Sequence, residues 1–273
     1  MVQASPPPAW MQAVGLPVAW RGQSSWRVLD TDFGEGERFL QLWQAWSTDP
    51  DACPMLHLVA LTDHPPTREA LLRAAAAFPA SAALARELEQ QWFGLLPGFQ
   101  RLVFASGGLR LTVCIGATVA MLRQQQFVAD SIVIGAPLRA APPRIGFEPC
   151  PWDVWALKSL TRLCRRGSTL AILPAASIDI GLLTRAGWLT QSDASTDDTA
   201  YAIRGGVYQP RWQIKATRAV WAQPSAPVSH CVVVGAGPAG AAVAGALALR
   251  GRSVTVLEAA QAPCAGASGL PVG

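Results

Sequence analysis

Three glycines, Gly235, Gly237 and Gly240, follow the apolar run Cys231-Val-Val-Val234 in the spacing Gly-x-Gly-x-x-Gly. A small-residue segment comes next, then a second short apolar run, Ser253-Val-Thr-Val-Leu257, closed by Glu258. Each part has a physical task in holding a dinucleotide. Gly235 permits the tight turn, Gly237 lets backbone approach a pyrophosphate, and Gly240 lets the helix lie close to the strand. The helix start attracts phosphate, and Glu258 stands where an acid binds ribose hydroxyls. The plainer reading is that these glycines serve packing alone. The order strand, glycine turn, helix, strand, acid favours the dinucleotide.

The tail Cys264-Ala-Gly-Ala-Ser-Gly269 adds a loop bearing Ser268. It is similar to the loop that approaches FAD in flavoprotein oxidases of the D-amino-acid-oxidase and glycine-oxidase type. This resemblance implies FAD as the dinucleotide, held by Gly235, Gly237, Gly240, Glu258 and Ser268. The residues after 230 are expected to form only the first strand–helix–strand of such a domain.

The elements that would carry chemistry elsewhere are read from periodicity. Strands are predicted at residues 26–30, 56–61, 109–115, 130–134 and 169–173. Helices are predicted at 38–46, 67–78, 81–92, 119–125, 152–164 and 178–186. Strand–helix alternation of this kind predicts an α/β domain with a mostly parallel sheet and helices on both faces. Residues 1–25, rich in Pro, Gly and Ser, read as a loose leader, and residues 223–229 as a linker.

Composition narrows the function. About half of the 273 residues are apolar and 15% are charged, so a sizeable core is expected. The formal charge of +4 comes with almost no lysine and no dense basic run, so charge alone does not indicate nucleic acid. The six cysteines lack Cys-x-x-Cys spacing and the three histidines do not complement them, which excludes a zinc-site pattern. Reduced cysteines in apolar runs and the absence of a signal-peptide pattern at the N-terminus predict a cytoplasmic location. The uncharged stretch 231–249 nears the length of a membrane span, but its glycines and Pro238 read as a strand–turn–helix, so no membrane partner is expected.

Several stretches in order resemble a known family. They are Asp30-Thr-Asp-Phe-Gly-Glu-Gly36 with Phe39-Leu40 and Trp43, Leu56-His-Leu-Val59, and the Leu95, Pro97, Gly98, Phe99 region with Arg101-Leu102. Gly167-Ser-Thr-Leu-Ala171, Ala186-Gly-Trp188 and the FAD-type start follow. The family is the bifunctional enzymes of 5-methylaminomethyl-2-thiouridine biosynthesis at the tRNA wobble position. Its members join an S-adenosylmethionine methyltransferase to an FAD oxidase. The resemblance implies a Rossmann-like methyltransferase-type α/β domain over 26–222, then an incomplete FAD-binding βαβ unit over 230–273. It implies tRNA as partner, and a separately encoded oxidase half as a further one. The methyl donor would meet Asp30, Thr31, Gly34, Gly36 and Asp63.

The departures from the family pattern bear on activity. Asp32 stands where the family has the central glycine of its first turn. Thr62, with Asp63 beside it, stands where an acid should hold the donor ribose. Gly116-Ala117 replaces the glycine–aspartate pair expected near the adenine, and Ile134-Gly-Ala-Pro137 lacks the acid that orients the amine. Amine methylation needs a group that positions the amine and keeps it unprotonated, and none is identified, so no catalytic residue is assigned. The leading expectation is a family member with both activities lost or impaired, weak donor binding and no stably held FAD. Three alternatives stand beside it. One is an active methyltransferase using Asp63 with Asp130 or Asp153. The second is a non-catalytic RNA- or partner-binding domain using Arg123, Arg139, Arg144, Arg165 and Arg166. The third is an FAD-binding fragment completed by a separate oxidase half.

Overall fold

A computed structural model describes residues 6–135, 152–174, 176, 178–190, 203–211, 230–249 and 252–266. The chain divides into two compact units, one of residues 1–102 with 110–222, the other of residues 103–109 with 223–273.

The first unit is built on an eight-stranded sheet. In chain order its strands are β1 (Trp26–Asp30), β2 (Leu56–Thr62), β3 (Gly98–Phe104), β4 (Leu109–Ile115), β5 (Ala129–Ile134), β6 (Cys164–Ile172), β7 (Trp188–Thr190) and β8 (Arg204–Tyr208). Their spatial order is β3-β4-β2-β1-β5-β6-β8-β7. β1 pairs in parallel with β2 on one side and with β5 on the other, and β5 pairs in parallel with β6. β8 then returns antiparallel to β6, and β7 is antiparallel to β8. The chain moves outward from β1 to β2, then crosses to β5, so the strand order reverses beside β1. In such sheets ligands bind at the carboxyl ends of the strands, at that reversal.

β1 and β2 are apolar almost throughout and buried on both faces, as parallel strands covered by helices must be. On one face, α2 (Glu37–Thr48), α3 (Arg68–Ala76) and α4 (Ala82–Gln91) pack together. Phe39, Leu40, Leu42 and Trp43 make the buried stripe of α2. Thr67 caps α3, its hydroxyl accepting from the Ala70 N–H at 3.2 Å. The helices α5 (Thr118–Gln124), α6 (Val154–Thr161) and α7 (Ile180–Arg185) form the other set. Their Met121, Leu122, Ala156, Leu157, Leu160 and Leu183 join Leu29, Val59, Leu61, Cys114, Ile132 and Ile134 of the sheet in one apolar cluster.

The expected parallel-centred α/β sheet is present. The N-terminal segment read as a loose leader is a correction. Residues Ala9–Ala13 form α1, and Trp10, Met11, Val14, Leu16 and Trp20 are buried. The indole of Trp10 donates to Gln41 Oε1 at 2.7 Å, and that of Trp20 to Asp49 Oδ2 at 2.9 Å. Apolar residues at 10, 11 and 14 carry a helical spacing that the surrounding prolines and glycines obscured. Two boundaries also move. α6 ends at Thr161, and β6 begins at Cys164 with an irregularity in its pairing to β5. The seven-residue strand β3 and the shorter β7 and β8 were not foreseen.

The second unit contains β9 (Cys231–Val234), α8 (Pro238–Ala248) and β10 (Val254–Leu257), with β10 parallel to β9. No residue of α8 is buried, and Val234 is 83% exposed. The linker, 223–229, lies outside the described residues.

Candidate functional site

The carboxyl ends of β1, β2, β4 and β5 meet at the strand-order reversal. Asp30 closes β1 and is 2% exposed. Its carboxylate accepts from Arg38 Nε at 2.8 Å and Nη2 at 3.2 Å, and from the Asp32 N–H at 3.0 Å. Arg38 lies in the first turn of α2, eight residues after Asp30, so the turn and the helix start fold the guanidinium back onto the strand end. Its Nη2 also lies 3.7 Å from Asp32 Oδ2. Burial pushes the Asp30 carboxyl upward against the pull of Arg38, and burial likewise raises Asp32.

The turn itself is stitched to both neighbouring strands. Thr31 donates its N–H to the Val133 carbonyl at 3.0 Å, and its hydroxyl accepts from the Gly135 N–H at 3.1 Å. The Phe33 N–H donates to the Leu61 carbonyl at 2.8 Å, and the Phe33 ring stacks on Trp92 at 5.1 Å. Gly36 has φ +86°, and a Cβ there would meet Leu71 Cδ2 at 2.9 Å. At the end of β5, a Cβ on Gly135 would lie 2.4 Å from the Asp32 Cβ. The side chain of Asp32 thus occupies the crevice between the β1 turn and β5.

Of the residues expected at the methyl donor, the structure brings Asp30, Thr31, Gly34 and Gly36 into one turn. Thr62 is buried at the end of β2, its hydroxyl accepting from the His64 N–H at 3.2 Å. Asp63 is half-buried beside it, with Oδ1 2.8 Å from His64 Nδ1. Gly116 follows β4, its N–H donating to the Thr62 carbonyl at 2.8 Å. Arg38 was missed as a site residue. Its signal was a cation in the first helical turn, where a helix normally prefers an acid.

Asp130 and Asp153, which the active-enzyme alternative invoked, stand at different places in the fold. Asp130 is the second residue of β5 and binds Arg165, about 13 Å of strand from the carboxyl end. Asp153 caps α6, its Oδ1 accepting from the Trp155 and Ala156 N–H groups at 3.0 and 2.8 Å. Arg123 ends α5, while Arg165 and Arg166 begin β6. Arg139, Arg144 and Ser268 lie outside the described residues.

The second unit presents a different turn. Gly235 has φ +97°, a backbone that side chains rarely adopt. A Cβ on Gly240 would lie 1.8 Å from the Gly235 carbonyl oxygen, so close strand–helix approach demands glycine there. Nothing lies within 4 Å of a Cβ built on Gly235 or Gly237. Pro238 opens α8 with no side-chain cap. Glu258, after β10, accepts from the Ala236 and Ala260 N–H groups, and these bonds hold its carboxyl below the usual range. The residues therefore fit a dinucleotide pyrophosphate over the turn and a ribose near Glu258. Among the described residues no cluster of His, Cys, Asp and Glu suits a metal ion, and no helix is long and apolar enough to cross a membrane.

A sheet of this order, with one antiparallel strand entering beside β6, defines a methyltransferase-like α/β unit, and a Rossmann-like βαβ unit follows it. A family model described as an NAD(P)-binding Rossmann-like domain matches residues 233–269. The chain is 44% identical over 95% of its length to the tRNA 5-methylaminomethyl-2-thiouridine biosynthesis bifunctional protein MnmC of Albidiferax ferrireducens, of which it covers 43%. It is 42% identical over 97% of its length to the protein of the same name from Polaromonas naphthalenivorans, covering 40% of it. A crystal structure of MNMC2 from Aquifex aeolicus shares the fold, with a TM-score of 0.50 and 14% identity over 75% of this chain and 60% of that one. The chain is similar to these proteins over nearly its whole length, and it spans about two-fifths of the length of the relatives it matches.

Proposed function

We propose that this chain acts in tRNA wobble-uridine modification, and that its methyltransferase-like unit serves as a scaffold that does not load the methyl donor efficiently. One observation carries the reading: the Asp30 carboxylate is already taken by Arg38 and by its own turn. An acid in that state has little capacity left for a ligand. Asp32 narrows the same crevice against Gly135. Thr62 offers a hydroxyl where a carboxylate would clasp a ribose with two oxygens.

These residues do not fit S-adenosylmethionine well, so no methyl-transfer step is derived. Among the described residues Asp63 is the further acid at the end of β2, and an active enzyme could use it. The test is transfer of labelled methyl groups to tRNA from a strain lacking the modification. The expected result is no incorporation above background. Labelled 5-methylaminomethyl-2-thiouridine would overturn the reading.

FAD is the dinucleotide best suited to the second unit. Gly235, Gly237 and the start of α8 would hold the pyrophosphate, and Glu258 a ribose. Bound flavin would supply oxidation of the carboxymethylated wobble base. Among the described residues nothing lies within 4 Å of a Cβ built on Gly235 or Gly237, and the chain as given is expected to hold no stoichiometric flavin.

A further inference from the structure

The misfit at the donor crevice has a definite chemical shape. The turn after β1 carries the parts of an anion site. Gly34 and Gly36 are left-handed, the start of α2 lies behind them, and Arg38 stands in the first turn of that helix. Backbone N–H groups in such a turn, with a helix start beside them, draw carboxylates and phosphates.

Most of these groups already have a task within the fold. The N–H groups of Thr31 and Phe33 go to the Val133 and Leu61 carbonyls, and that of Asp32 goes to Asp30. The N–H of Gly34 goes instead to a side-chain carboxylate, that of Asp32, whose Oδ1 accepts it at 3.2 Å. The other oxygen of Asp32, Oδ2, lies 3.7 Å from Arg38 Nη2. Arg38 also bonds Asp30 through Nε and Nη2, so one guanidinium balances both acids.

The position of Asp32 is as specific as its bonds. Its side chain is 15% exposed. A Cβ on Gly135 would stand 2.4 Å from the Asp32 Cβ, so the side chain is wedged between the turn and the end of β5. Burial raises its carboxyl, while Arg38 and the Gly34 N–H pull it down. A turn N–H on one oxygen and a guanidinium beside the other are the contacts that a bound carboxylate would make.

We infer that Asp32 is the internal occupant of a carboxylate subsite, taking the Gly34 N–H and the Arg38 charge that the α-carboxylate of an adenosyl amino acid would otherwise use. That role presupposes a wild-type crevice that does not load the donor, and it names the end of the donor that is refused. A tethered carboxylate competes without the loss of translational freedom that a free ligand suffers. Its charge also repels a second carboxylate brought close to it. A nucleoside lacking the amino-acid end meets no such competitor, whereas the hydroxyl of Thr62 in place of an acid weakens the ribose end of both ligands alike.

The test is calorimetric titration of the full chain with S-adenosylhomocysteine and with 5′-methylthioadenosine, which share adenosine and sulfur and differ in the amino-acid end. The wild type should bind the first no more tightly than the second. Asp32→Gly should bind S-adenosylhomocysteine about tenfold or more tighter than the wild type does, the effect of one charge-assisted hydrogen bond regained. Its affinity for methylthioadenosine should stay within about twofold. Asp32→Ser shortens and neutralises the side chain and should move the same way, which keeps the inference open to test if glycine loosens the turn. Asp32→Asn keeps the volume and an acceptor for the Gly34 N–H, and should gain less than about threefold. Three results would each overturn the inference: no gain for S-adenosylhomocysteine in Asp32→Gly and Asp32→Ser, equal gains for both ligands, or a gain in Asp32→Asn that matches Asp32→Gly. Any of these with methyl transfer still absent in the wild type would leave the scaffold reading standing.

Discussion

The two glycine turns of this chain use the same local device under opposite conditions. After β1, the turn through Gly34 and Gly36 is tied to β2 and β5 by backbone bonds, and the acid at the strand end is consumed by Arg38. After β9, the turn through Gly235 and Gly237 faces open space, and among the described residues Glu258 accepts from backbone N–H groups. The glycines in both say that backbone can turn sharply. Whether a ligand can enter is decided by the side chains that neighbour them. The same contrast holds for packing, since β1 is buried on both faces while α8 buries none of its residues.

Removing Arg38 should break the closed turn with the largest effect. Its side chain is 17% exposed and that of Asp30 is 3% exposed. Arg38→Ala leaves a buried carboxylate uncompensated, and a loss of roughly 3–5 kcal/mol is expected in urea unfolding. A loss below about 1 kcal/mol would mean that the pair is solvated, and that the crevice is less closed than the contacts imply.

The open turn should respond to Gly240→Ala. The new methyl group would sit against the Gly235 carbonyl, and overpacking of this kind costs about 1–3 kcal/mol. Hydrogen exchange should show lost protection over residues 231–248, with the first unit unchanged. Unchanged protection would show that helix and strand are not in this close approach.

A smaller effect separates the units chemically. Cys53 and Cys114 are buried, and burial pushes their thiols up to about 11 and about 12. They should resist iodoacetamide in the native state, because the thiolate is the reactive form. Cys231 and Cys264, half-buried in the second unit, should label first. Mass spectrometry of digested protein reads the order, and early labelling at Cys114 would contradict a packed first unit.

Much of the architecture was legible because period and punctuation agreed. The alternation of apolar runs gave the parallel strands, and the spacing of Gly235, Gly237 and Gly240 gave the second unit. The buried N-terminal helix was not legible, since Pro and Gly nearby masked Trp10, Met11 and Val14. Nor were β7, only three residues long, and β8, which carries two glycines. In the donor turn, the sequence pointed to Asp30 and Asp32 but not to the cation joining them. Arg38 belongs to the next element, and only the fold of the turn brings it onto the strand end.

The central claim is that the carboxyl edge of the first unit is closed to the methyl donor by its own charges. Calorimetric titration with S-adenosylmethionine tests it most directly, comparing wild-type chain with Asp32→Gly. The account predicts no heat of binding for the wild type at micromolar donor, and a gain of affinity when the side chain against Gly135 is removed. Micromolar affinity in the wild type, unchanged in Asp32→Gly, would contradict it.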